Sequence, residues 1–190
     1  MVAWPAAGAA PAADAPAAPA ARPPEGSCER GDPGVCVEQG AWAEKAGDLK
    51  EARRLLTLAC NRGREEGCRR LAPVLVRAGE VDKAKVLLAR LCEKGSVVDC
   101  ATLAGLHEKG SDIEAAEKLY GFICKNHPAD TGCLRMAEMY DRLGSKVKAR
   151  RAWVTYCEAS NDYTRCIDVY QKWCSDGDQD ACRSLMDIKG

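Results

Sequence analysis

Cysteine is the residue of this sequence whose type and spacing could do chemistry. Cys28 and Cys36 enclose the seven residues of "CERGDPGVC", and the frame recurs at Cys60 and Cys68, Cys92 and Cys100, and Cys174 and Cys182. Two copies are one residue longer, Cys124 to Cys133 and Cys157 to Cys166. Paired thiols support three chemistries: metal ligation, redox exchange and covalent bridging. Structural zinc takes ligand pairs about two to four residues apart, closed by a second pair. The frames here are longer, and His107 and His127 do not complete a set. Soft Cu(I) is less bound to a spacing, so reduced thiols that handle Cu(I) stand as an alternative. A redox-active Cys-x-x-Cys is absent, which argues against an oxidoreductase. Twelve cysteines in 190 residues form a dense, even set of the kind found in oxidising compartments.

Other chemistry finds little support. There is no Gly-rich phosphate loop and no nucleophile elbow. Ser145 and Lys148 match Ser-x-x-Lys, in the turn after Gly144, but no Ser-Asp-Asn or Lys-Thr-Gly partner accompanies them. A penicillin-recognising hydrolase is therefore a second alternative resting on four residues. His107 and His127 read as surface or structural. No catalytic, cofactor-binding or metal-binding residue is assigned, and the chain is expected to be neither an enzyme nor a cofactor protein. Lys plus Arg and Asp plus Glu each total 28. That balance argues against nucleic acid or a membrane surface as partner, since both select a basic excess. No apolar run approaches the roughly 18 residues that insertion in a bilayer requires.

The elements that carry the cysteines repeat. First cysteines stand at 28, 60, 92, 124 and 157, so the period is 32 to 33 residues, the signature of a stacked array. Between frames the apolar residues fall at helical spacing: Leu71, Ala72, Leu75 and Val76, then Val81, Ala84, Leu87, Leu88 and Leu91. Gly79 separates the two segments, and Pro73 is expected to bend or shorten the first. Each unit reads as helix, Gly-marked turn, helix. Small residues recur in step: Gly40, Ala72, Ala104 and Ala137 on first helices, then Ala52, Ala84, Ala116 and Ala149 twelve residues later. Small side chains let paired helices approach closely.

This register resembles the tetratricopeptide family and its Sel1-like relatives. Leu71, Leu103 and Met136, and the bulky Leu88, Tyr120 and Trp153, fit the same pattern. With the Cys frames added, residues 28–190 are similar to the cysteine-rich Sel1-like proteins, of which the Helicobacter cysteine-rich proteins are the best-known type. The chain departs in its shorter repeats and in lacking the Pro that often ends a tetratricopeptide unit. The resemblance implies an all-α, right-handed solenoid of stacked helix-turn-helix repeats over residues 27–190: about four full repeats and a shortened C-terminal cap. It also implies a partner-binding concave face lined by first helices. Carried onto this chain, that face includes Val37, Ala41 and Glu44; Arg69, Pro73 and Val76; Ala101, Gly105 and Glu108; and Leu134, Glu138 and Asp141.

In every frame the first cysteine ends a second helix and the second cysteine opens the next helix. The two flank a tight corner within disulfide reach, so six local bridges are expected, each within its own frame. Cys166 and Cys174 are eight residues apart on one helix, about 12 Å at 1.5 Å per residue, so their partners should be Cys157 and Cys182. Residues 1–26 contain twelve Ala and six Pro and read as a disordered or semi-stiff linker. A basic n-region and apolar h-region are not visible there. The cysteines nevertheless point to the periplasm or cell exterior, and the expected function is a scaffold or adaptor that binds a protein or peptide.

Overall fold

The computed structural model describes Cys28 and residues 31–189, and the expected linker over residues 1–26 lies outside them. Ten helices follow one another with no strand among the described residues: α1 (Pro33–Lys45), α2 (Leu49–Asn61), α3 (Glu65–Arg77), α4 (Val81–Glu93), α5 (Val97–Lys109), α6 (Ile113–Asn126), α7 (Thr131–Arg142), α8 (Lys146–Ala159), α9 (Tyr163–Ser175) and α10 (Gln179–Lys189). Each packs against the next, as stacked helical hairpins must.

Local chemistry sets the helix ends. Asp48 Oδ1 accepts from the Glu51 N–H at 3.0 Å, and Asp112 Oδ1 accepts from the Ala115 N–H at 3.3 Å. Such caps satisfy backbone donors that the first turn leaves without helical partners. Three of the Cys-frame corners take left-handed backbone, supplied by Gly63, Gly95 and Gly177 at φ of 80°, 92° and 94°. One hairpin turn uses Ser111 instead, at φ 63°.

The small residues predicted to mark the hairpin seam are all buried. A Cβ on Gly40 would stand 2.7 Å from Leu56 Cγ, so α1 and α2 approach as only glycine permits. Leu56, Leu88, Tyr120 and Trp153 fill the space beside them at 0%, 1%, 2% and 6% exposure. Pro73 does not shorten α3, which runs the same 13 residues as α2 and α4.

All six bridges join the frames as expected, 28–36, 60–68, 92–100, 124–133, 157–166 and 174–182, with Cα separations of 4.4 to 5.7 Å. The 60–68, 92–100, 124–133 and 157–166 bridges each staple one helix pair to the next, and no described cysteine is free. Six disulfides fit an oxidising environment. No helix among the described residues is long and apolar enough to cross a membrane. At the C-terminal end α9 carries both Cys166 and Cys174 and is bridged to α8 and to α10. Direct packing of α9 on α8 is thin, and α9 packs mainly on α10.

Candidate binding face

The first helices α1, α3, α5 and α7 form one layer. Direct contacts join α1 to α3 and α5 to α7, whereas α3 and α5 make no comparable contact. Between them lies a groove of about 380 Å³. One wall is Arg69, Pro73, Val76 and Arg77 of α3. The other is Val98, Thr102 and Leu106 of α5, with Ala72 and Leu88 beneath. The lining is mostly aliphatic, and Val98 is 67% exposed, which leaves apolar surface in water without a covering group.

At one end of the groove sits Asp99, the one buried charged residue among those described, at 1% exposure. Arg69 Nε lies 3.3 Å from its Oδ2, and the positive end of α5 is beneath it, since Asp99 falls in the first turn. A buried carboxylate needs such partners. The residue before the second cysteine is glycine in two other frames. A Cβ on Gly67 would meet Ala59 Cβ at 2.6 Å, and one on Gly132 would meet Ile123 Cγ2 at 2.2 Å. At position 99 the seam admits a side chain, and that side chain is an acid. The other frames carry Val35, Arg165 and Ala181 at this place, so no fixed register marked this end of the groove in the sequence.

The face implied by the resemblance divides into four groups. Arg69, Pro73 and Val76 come together in the groove. Val37 and Leu134, both 8% exposed, are core residues, packed in separate clusters with Cys36 and with Tyr140. Ala41, Ala101 and Gly105 are half-buried. The carboxylates are engaged within the fold. Glu44 pairs with Arg77 Nη1 at 3.3 Å, and Glu138 with Arg165 Nη1 at 3.5 Å. Asp141 accepts from Trp153 Nε1 at 2.7 Å. Glu108 pairs with Arg142 and accepts from Tyr120 Oη at 3.4 Å. The three ion pairs with arginine tie first helices of successive repeats together, the Trp153 and Tyr120 bonds close single hairpins, and the bond to Glu108 raises the Arg142 guanidinium above its ordinary value. Burial, with Glu108 beside it, pushes the Tyr120 phenol up to about 12.

Arg77, Val98, Thr102 and Leu106 were missed. They lie on the same two helices as the carried-over positions, but which first helices separate is a property of packing and has no local sequence mark. A second hollow of about 510 Å³ lies where α8 and α9 part, lined by Asp141, Lys146, Arg150, Lys172, Trp173 and Asp178 among others. There Arg150 lies 5.4 Å from the Trp173 ring centre and is paired with Asp178. Ser145 is the N-cap residue of α8, and Lys148 Nζ bonds Glu117 at 2.9 Å and holds that carboxyl below its usual range. His107 Nδ1 lies 2.9 Å from Asp112 Oδ2 at a helix end, and His127 Nδ1 lies 3.9 Å from Asp130 Oδ2 in a Cys frame. No cluster of three or more His, Cys, Asp or Glu able to hold a metal occurs among the described residues.

No protein-family model matches the chain, and no curated protein matches it at a level that shows a relationship. The chain is thus a cysteine-rich helical repeat protein on its own sequence and geometry.

Proposed function

We propose that this chain is a non-enzymatic scaffold or adaptor of the cysteine-rich Sel1-like and tetratricopeptide kind, exported to the periplasm or cell exterior, that binds a protein or peptide on its first-helix layer. The observation that carries the reading is the groove between α3 and α5. It is a preformed apolar trough with a few polar groups at its margin, the composition typical of recognition sites. Its walls are held by the 60–68 and 92–100 bridges, so little ordering entropy remains to be lost on binding. The bridged cysteines favour this reading over Cu(I) handling, which needs free thiolates.

Selection of displayed random peptides against the oxidised chain tests it. Val98→Glu is the control, because an acid in the first turn suits the α5 dipole while placing a charge in the trough. Enrichment of peptides that bind the parent and not the variant is expected. No enrichment, or binding indifferent to Val98→Glu, refutes the reading. Counting thiols by alkylation under denaturing conditions should find none before reduction among the twelve. Twelve free thiols on natively purified protein would instead favour the Cu(I) reading.

A further inference from the structure

The α3 wall of the groove has an order that specifies its ligand. Arg69, Pro73 and Arg77 stand four residues apart, so they form one stripe along the helix with about 6 Å between neighbours. Each end of the stripe is a cation and its centre is apolar, with Val76 and Val98 beside it. The guanidiniums are 42% and 48% exposed. Arg69 meets Asp99 through Nε, and its Nη1 lies 3.5 Å from Glu66, while Arg77 meets Glu44 through Nη1. A guanidinium has five N–H donors, so both retain donors for a further acceptor. Pro73 gives the middle of the stripe an apolar ring with no charge of its own.

An extended peptide matches this stripe. Its side chains on one face repeat every second residue, about 6.6 Å apart, which is the spacing of Arg69, Pro73 and Arg77. We infer that the groove between α3 and α5 takes an extended segment of sequence acid-x-apolar-x-acid, its two carboxylates on Arg69 and Arg77 and its apolar side chain in the hollow between Pro73 and Val98. This rests on the binding-face reading above and deepens it by naming the ligand.

The test is fluorescence anisotropy of labelled peptides with Gly-Ser flanks against the oxidised full chain. The parent peptide carries Glu-Ala-Leu-Ala-Glu. Exchanging both Glu for Lys, replacing Leu by Gly, or closing the acids to a three-residue spacing should each weaken binding at least about fivefold. Arg77→Gln should weaken the parent peptide to a similar degree with helical circular dichroism unchanged. Arg77→Glu should then prefer a peptide with one Glu exchanged for Lys over the parent. Arg69 is left intact, because its removal would strand the buried Asp99 carboxylate. Equal binding of all four peptides, indifference to Arg77→Gln, or no binding at all overturns the inference. If no parent peptide binds while displayed peptides of other pattern still bind in a manner that Val98→Glu abolishes, the ligand assignment fails and the binding face stands. If neither binds, both fail.

Discussion

Removal of the central bridge gives the most direct measure of what the staples contribute. Replacing Cys92 and Cys100 by Ala opens a loop of eight residues, for which the chain-entropy model gives about 2.5 kcal/mol. Cys100 is 1% exposed, so losing its sulfur adds on the order of 1 kcal/mol. With an m-value of about 2 kcal/mol/M in urea, the unfolding midpoint should fall by roughly 1.8 M. The assay is urea unfolding of both proteins without reductant, followed by circular dichroism and by fluorescence of Trp42 in α1 and Trp153 and Trp173 in α8 and α9. These tryptophans lie on opposite sides of the removed bridge, so the two signals should separate in the variant if the junction couples the halves. The same replacement at Cys174 and Cys182 removes an equal loop but should loosen α10 alone and leave the main midpoint nearly in place. A shift below about 0.5 M for the central pair would refute the argument that the bridges carry the junctions.

Three further outcomes follow from single positions. Gly132→Ala sets a methyl 2.2 Å from Ile123 Cγ2 and should cost about 2 kcal/mol by overpacking, lowering the melting temperature by about 4–8 °C; an unchanged melting temperature would refute the close approach. Ser111→Gly relieves a left-handed serine, about 1–2 kcal/mol, but adds freedom to the unfolded chain; a net gain of about 0.5 kcal/mol is expected in urea unfolding, and any loss contradicts it. Tyr120 has its folded pKa raised to about 12 from 10.0, so its contribution is full below about pH 10 and is lost as pH rises toward 12. Melting temperatures should therefore favour Tyr120→Phe more at pH 11 than at pH 9, and a pH-independent difference would contradict burial as the cause.

The stack was legible because two periodic marks coincide. The frames and the small residues share one 32–33-residue step, and Ala52, Ala84, Ala116 and Ala149 are each buried at the seam where that step places them. Bridge pairing followed from the helix ends on either side of each frame. Pro73 was harder, because proline disfavours a helix interior. It is tolerated here because it lies on the exposed groove face, where the helix loses one bond and no core contact. The acidic positions of the binding face were legible as first-helix residues but not as partners of Arg77, Arg142, Arg165 and Trp153. The pairings with arginine join residues up to 34 apart and depend on how repeats stack, while Asp141 meets Trp153 across a single hairpin.

The bridges divide the loops of this protein into two kinds with opposite responses to a protease. A cut inside a Cys frame leaves its flanking pieces covalently joined, and a gel without reductant shows the chain intact. A cut in a hairpin turn, at Gly47, Gly79, Ser111 or Gly144, has no bridge across it and releases a fragment once the helices separate. Because α9 is tied at both ends, to α8 through Cys157–Cys166 and to α10 through Cys174–Cys182, no turn of the second kind occurs after Gly144 among the described residues. The last three helices therefore stay together through any single cut in the loops between them, and the first N-terminal fragments released should end at or before that turn.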